Sequence, residues 1–111
     1  MEVKVTDNSA IFKKAKDEAV ARALEAIGLT AERYAKADCP VDTGRLRNSI
    51  SHAVREEEQA AYIGTNVEYA KYVETKPMKH TTGKAHFLRD AAATHGDEYK
   101  QIAEAQLRKA R

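Results

Sequence analysis

Apolar side chains recur at spacings of three and four from Ser9 to about Ala37, at Phe12, Ala15, Ala19, Ala23, Ile27, Ala31 and Tyr34, with no proline between them. The pattern predicts one amphipathic helix about 40 Å long at ~1.5 Å per residue. Asp7-Asn8-Ser9 supplies three N-cap candidates at its start. Its apolar face is mostly alanine, which lets another backbone approach closely. Gly28 weakens the interior by about 1 kcal/mol relative to Ala, and a slight bend is expected there. Asp38-Cys39-Pro40 ends the helix, because proline disfavours helical geometry in the residue before it.

The period then changes. Ile50, His52 and Val54 alternate with Ser49, Ser51 and Ala53, predicting a strand between Asn48 and Arg55. Glu56-Glu57-Glu58-Gln59 reads as a polar turn, and Ala60 to Gly64 as the antiparallel return. Two strands alone are marginal in water, so the sheet is expected to recruit the alternating Val3-Lys4-Val5, and a partner chain is a further candidate. Asn66 is placed to cap a short helix over 69–74, and a loop follows from Thr75 to Ala85, broken by Pro77 and Gly83. A last helix is predicted from about His86 to Lys109, with Leu88, Ala91, Ala92, His95, Tyr99, Ile102 and Gln106 on one face and Gly96 weakening its middle. Arg108, Lys109 and Arg111 sit where cations favour a helix C-terminus. The expected fold is α+β: a long N-terminal helix and a C-terminal helix packed on a small antiparallel sheet, in one domain over 1–111.

Composition sharpens this picture in two ways. Large apolar side chains are few, with no Trp, two Phe and five Tyr, so the core is expected to be thin and completed by neighbouring subunits. Nineteen basic against seventeen acidic side chains give a formal +2, which describes a soluble surface and does not by itself imply nucleic acid. No stretch approaches the roughly 20 apolar residues of a membrane span, so no membrane partner is expected. The polar start Met1-Glu2-Val3-Lys4 does not read as a signal peptide. The single cysteine, Cys39, cannot form an internal disulfide, which fits a reducing cytoplasm.

Candidate chemistry is sparse. Cys39 with one of His52, His80, His86 or His95 could in principle form a nucleophile–base pair, but no local pattern supports it and a small buried thiol is the simpler reading. His80 and His86 are too far apart in a loop to suggest a metal site. Gly83-Lys84 lacks both the upstream glycine and the following Ser or Thr of a phosphate-binding loop. The carboxylates of Glu56, Glu57 and Glu58 in a hairpin turn diverge and read as solvated. No catalytic residue, metal ligand or cofactor is therefore assigned.

The informative segment is Pro40-Val41-Asp42-Thr43-Gly44-Arg45-Leu46-Arg47-Asn48-Ser49-Ile50. Pro40 stops the helix, Asp42 or Thr43 accepts backbone hydrogen bonds that start a new turn, and Gly44 permits a tight path. Leu46 and Ile50, four apart, point to one side. The segment reads as a rigid elbow, with Arg45 and Arg47 as candidate partner contacts.

The order Cys-Pro-Val-Asp-Thr-Gly-Arg-Leu-Arg-Asn-Ser-Ile at 39–50 is followed by Tyr-Ile-Gly-Thr-Asn-Val-Glu-Tyr-Ala-Lys-Tyr-Val-Glu at 62–74 and His-Phe-Leu-Arg-Asp-Ala at 86–91. Together these blocks resemble the minor tail component, or neck (tail-completion), family of lambdoid and related long-tailed bacteriophages. The family usually continues with Gly-Thr after Tyr-Ala-x-x-x-Glu, where this chain has Thr75-Lys76-Pro77-Met78, and it has proline where Asp90 stands. The resemblance implies a structural virion protein, with no catalysis: part of a ring at the head–tail junction, needed to join head and tail. It implies a homo-oligomeric ring, contacts with head-closure or connector proteins and with tail-terminator or tail-tube proteins, and proximity to genomic DNA in the channel. The basic loop carrying Lys76, Lys79 and Lys84 is then expected to contact a neighbouring subunit or ring. The competing reading is a small nucleic-acid-binding module, since Lys71, Lys76, Lys79, Lys84 and Arg89 against Glu74 give +4 over 71–89, beside Tyr69, Tyr72 and Phe87.

Overall fold

A computed structural model describes residues 1–5, 12, 17–39, 44–67, 70 and 86–109. Eight elements appear in it: β1 (Glu2–Lys4), α1 (Asp17–Asp38), α2 (Arg45–Ser49), β2 (Ser51–Arg55), a 3-10 turn (Glu56–Glu58), β3 (Ala60–Gly64), α3 (Phe87–Ala93) and α4 (Gly96–Lys109). The fold is α+β, as the sequence patterns predict.

The sheet runs β1-β3-β2, antiparallel throughout. The N-terminal strand is recruited against β3, with Val3 opposite Ile63, while β2 lies on the other side with Ala53 opposite Tyr62. Val5 lies just past β1, yet its N–H still donates to the Ala61 carbonyl at 2.9 Å. Gln59, at φ 52, closes the acidic turn in the left-handed region.

The core follows from the alanine-rich face of α1. Ala19, Ala23, Ala31 and Ala35 are buried beside Val20, Leu24 and Ile27, and with such short side chains both the sheet and the C-terminal helices approach closely. The helix α1 packs on β2 and β3 and against α3 and α4, while α3 also reaches β1 and β3. The main neighbour of α4 is α1 and not the sheet. Phe12, Ile63, Phe87, Leu88 and Tyr99 are the bulky apolar groups sealed in this core.

Two predicted elements differ. The strand expected from Asn48 begins only at Ser51, because Asn48 and Ser49 close the helical turn α2, with the Asn48 N–H donating to the Gly44 carbonyl at 2.9 Å. The single C-terminal helix is two, separated at Thr94–His95. His95 stacks on Tyr34 with ring centroids 3.6 Å apart, and Tyr34 donates its hydroxyl proton to Glu98. The Tyr99 hydroxyl turns back to the Ala91 carbonyl. The contacts with Tyr34 of α1 and this bond between the two C-terminal helices fix the break where Gly96 offers least resistance to it. Ala70 is helical and buried; the rest of the helix expected over 69–74, and the 75–85 loop, lie outside the described residues.

Candidate functional site at the elbow end of the sheet

The elbow is built on Gly44. It sits at φ 82 and ψ −11, at the N-cap of α2, and as glycine has no side chain of its own to cap the helix. A side chain there has open space, its nearest neighbour being Asn48 Nδ2 at 3.7 Å, so the requirement for glycine is conformational. Leu46 and Ile50 are buried at 5% and 2% exposure, and both join the core cluster that holds Ala31, Ala35 and Cys39. Arg45, Arg47 and Asn48 are exposed on the opposite side of this one-turn helix. Pro40, Asp42 and Thr43, the other predicted parts of the elbow, lie outside the described residues.

A chain of hydroxyls ties the elbow to the end of β3. Ser49 Oγ donates to the Leu46 carbonyl at 2.6 Å, which leaves its lone pairs to accept the Thr65 hydroxyl proton at 2.5 Å. Thr65 Oγ1 in turn accepts the Val67 N–H at 3.1 Å. Every proton on this path has one acceptor, so the direction of each bond is set. Thr65 is the buried polar residue of the described core, and Gly64 before it leaves room for the Met1 carbonyl, which a side chain at that position would strike. Beside these groups lies an open depression of about 390 Å³, lined by Met1, Ser49, Ser51, Ala53, Gly64 and Thr65 among others. Replacing Thr65 with Val is expected to cost about 1–3 kcal/mol in denaturant unfolding, since it strands the Val67 N–H. Thr65→Ser, which keeps the hydroxyl, is expected to recover most of that.

Next to the depression, β2 is pinned on α1 at a point the sequence presented only as a weakness. Gly28 lies directly beneath His52: a Cβ built there would come within 2.9 Å of His52 Cδ2 and 3.2 Å of its Cβ. Carboxylates one turn to either side grip the ring, Glu25 at 2.5 Å from Nε2 and Glu32 at 2.9 Å from Nδ1. Lys36 braces Glu32 from the next turn at 3.3 Å. Gly28→Ala is therefore expected to destabilise by about 1–3 kcal/mol through overpacking, despite the helix propensity it gains. In a His52→Ala background the same change is expected to become neutral or stabilising, which a double-mutant cycle reads directly.

The clamp also sets a pH dependence. Burial pushes the His52 imidazole toward lower pKa, but its hydrogen bonds to Glu25 and Glu32 outweigh this and hold it above 6.5. Burial likewise opposes ionisation of Glu32, yet His52 and Lys36 together hold it below 4.5. The raised His52 contributes stability fully below pH 6.5 and loses it as pH rises through its folded-state value. The lowered Glu32 contributes above pH 4.5 and loses it as pH falls. The stability difference between the native chain and His52→Gln is therefore expected to be largest between these values, at about 0.5–1.5 kcal/mol, and to shrink as pH rises through the folded-state value of His52.

Elsewhere the described surface offers little chemistry. Cys39 is 1% exposed, in keeping with a packed thiol. Glu56, Glu57 and Glu58 are exposed in the hairpin turn, with Glu58 accepting the Tyr62 hydroxyl at 2.6 Å. Arg55 reaches across the Tyr62 ring at 4.1 Å to Glu2 at 2.5 Å, all on the outer face of the sheet. Among the described residues no group of three or more His, Cys, Asp or Glu side chains is placed to hold a metal ion, and no helix is long and apolar enough to cross a membrane. Among the described residues the structure brings together the elbow and the Gly64-Thr65 block; Lys76, Lys79 and Lys84 lie outside the described residues. The Ser49–Thr65 and His52–Glu25–Glu32 contacts were not read from the sequence; the pair of glutamates flanking Gly28 was the only local sign of the second.

A family model described as "Bacteriophage HK97-gp10, putative tail-component" matches residues 4–75. That span holds α1, the elbow, the β2–β3 hairpin and the Gly64-Thr65 block. No curated protein and no solved structure gives a significant match. With about two thirds of its length matched, the chain belongs to the HK97 gp10-like family of bacteriophage tail components.

Proposed function

We propose that this chain is a structural, non-enzymatic subunit of the ring at the junction of phage head and tail, and that it is needed to join the two. The observation that carries the reading is the family match over 4–75. Within that span the elbow is locked to the end of the sheet and presents Arg45 and Arg47 outward. A rigid mount with exposed cations, and no convergent reactive groups among the described residues, suits a contact between virion proteins. In this reading the whole chain is one domain that closes into a homo-oligomeric ring. It is made in the host cytoplasm and sits in the virion between head-closure or connector proteins and the tail-terminator or tail-tube proteins, around the channel that carries genomic DNA. The loop with Lys76, Lys79 and Lys84 joins Arg45 and Arg47 as a partner contact.

Immunogold labelling of intact particles tests the location. Antibody against the chain is expected to mark the head–tail junction alone. Label along the tail tube, label at the distal tip, or absence from the particle would contradict the proposal.

A further inference from the structure

The strand β2 is one edge of the sheet, and hydrogen-bond alternation shows which of its backbone groups are left over. The Val5 N–H donates to the Ala61 carbonyl and the Thr65 N–H to the Met1 carbonyl, each at 2.9 Å. The odd-numbered residues of β3 thus turn their backbone toward β1. Ala60, Tyr62 and Gly64 turn theirs toward β2, where they meet Arg55, Ala53 and Ser51. The N–H and C=O groups of His52 and Val54 therefore point out of the free edge, with no strand beside them among the described residues. Proteins commonly blunt such edges with Lys or Pro. Ser51-His52-Ala53-Val54-Arg55 has neither, whereas the opposite edge, β1, is three residues long and carries Lys4.

Opposite charges stand at the two ends of this edge. Arg45 and Arg47 are exposed just before the strand, and Glu56 and Glu57 are exposed just after it. We propose that β2 pairs antiparallel with β2 of a second copy, about a two-fold axis at Ala53. In that register His52 of each copy meets Val54 of the other, and both leftover rungs are satisfied in both copies. The antiparallel sense also sets Glu56 and Glu57 of each copy beside the arginine-bearing end of the other. A parallel match of β2 with β1 of a second copy has no such complement, because it brings the Met1 ammonium to the arginine end. Leu29, next in α1 after the Gly28 that lies beneath His52, is at 38% exposure one of two large apolar side chains left open among the described residues.

The pairing stands apart from the ring reading, since a two-fold pair uses one surface twice and a closing ring uses two different surfaces. Sedimentation equilibrium on the full chain, with amide hydrogen exchange on the same samples, tests it. The native chain is expected to run as a dimer, with protection of the His52 and Val54 amides rising with protein concentration. Arg47→Glu and the double change Glu56→Lys with Glu57→Lys are each expected to weaken association by about tenfold or more. An equimolar mixture of the two is expected to restore the dimer, because each repels itself and attracts the other. Val54→Pro, which removes an outward N–H, is expected to abolish it. A monomer at all concentrations, fast exchange at 52 and 54 throughout, association indifferent to these changes, or rings with no two-fold pair would each overturn the proposal. Because the native chain's exchange pattern is read without any variant, misfolding of a variant leaves the test intact. Labelling of particles is independent of it, so either reading can fail alone.

Discussion

Truncating Leu46 to Ala is expected to cost about 2–5 kcal/mol of folding stability, the range for removing a buried leucine whose site cannot collapse. The site is constrained on both sides. Gly44 fixes the backbone before it in the left-handed region, and the Leu46 carbonyl is held by Ser49, which Thr65 holds in turn. The backbone therefore cannot follow the missing side chain inward, and a cavity remains beside Ile50. Against total stabilities of about 5–15 kcal/mol for domains of this kind, such a loss is severe. Chemical denaturation should show a lower midpoint with an unchanged slope. A Leu46→Met variant, which nearly keeps the volume, is expected to lose less than about 1.5 kcal/mol. Equal losses in the two would mean that something other than packing is being disturbed.

Phe87→Ala is expected to cost more still, about 3–5 kcal/mol. Phe87 is fully buried and opens α3, which packs on α1 and reaches β1 and β3. Its ring thus fills the space where helices and sheet meet, in a core with no Trp and only two Phe. The residue before it, His86, takes φ 62 as the helix N-cap, and the Asp90 N–H returns to its carbonyl at 2.8 Å. This backbone conformation, uncommon outside glycine, aims Phe87 and Leu88 inward together. Loss of the ring should lower the unfolding midpoint and raise the exchange rates of core amides in β3, since the central strand loses its cover.

Much of the fold was legible because it is local. The three-and-four spacing of small apolar residues marks α1, and alternation at Ile50, His52 and Val54 marks the hairpin, because each period follows from the geometry of the element itself. Recruitment of the N-terminal strand was legible from the insufficiency of two strands. The errors fall where distant contacts outvote local pattern. Asn48 and Ser49 fit the alternation that continues into β2, yet the hydroxyl bond to Thr65, sixteen positions on, holds them in a helical turn that the local Asn48–Gly44 backbone bond closes. The break at Thr94–His95 depends on Tyr34, more than sixty positions away. Gly28 looked like a flaw in a helix, since only the flanking Glu25 and Glu32 hint at a cationic partner and nothing near it in the chain discloses that His52 lies on top of it.

The site divides the same way. Burial of Leu46 and Ile50 and the need for glycine at 44 follow from spacing and turn chemistry. The hydroxyl chain through Ser49 and Thr65 does not, because neither residue carries a sign of the other across sixteen positions. It nevertheless accounts physically for two of the sequence blocks at once, since the elbow and the Gly64-Thr65 pair are two halves of one bonded unit.

The central claim, a structural part that joins head to tail, is tested most directly in the phage or prophage that encodes the chain. Lysates of a strain lacking only this coding sequence can be viewed by electron microscopy, with the protein supplied in trans as the control. The account predicts separate heads and separate, finished tails, and restoration of joined particles on complementation. Normal joined and infectious particles in the absence of the protein would contradict it.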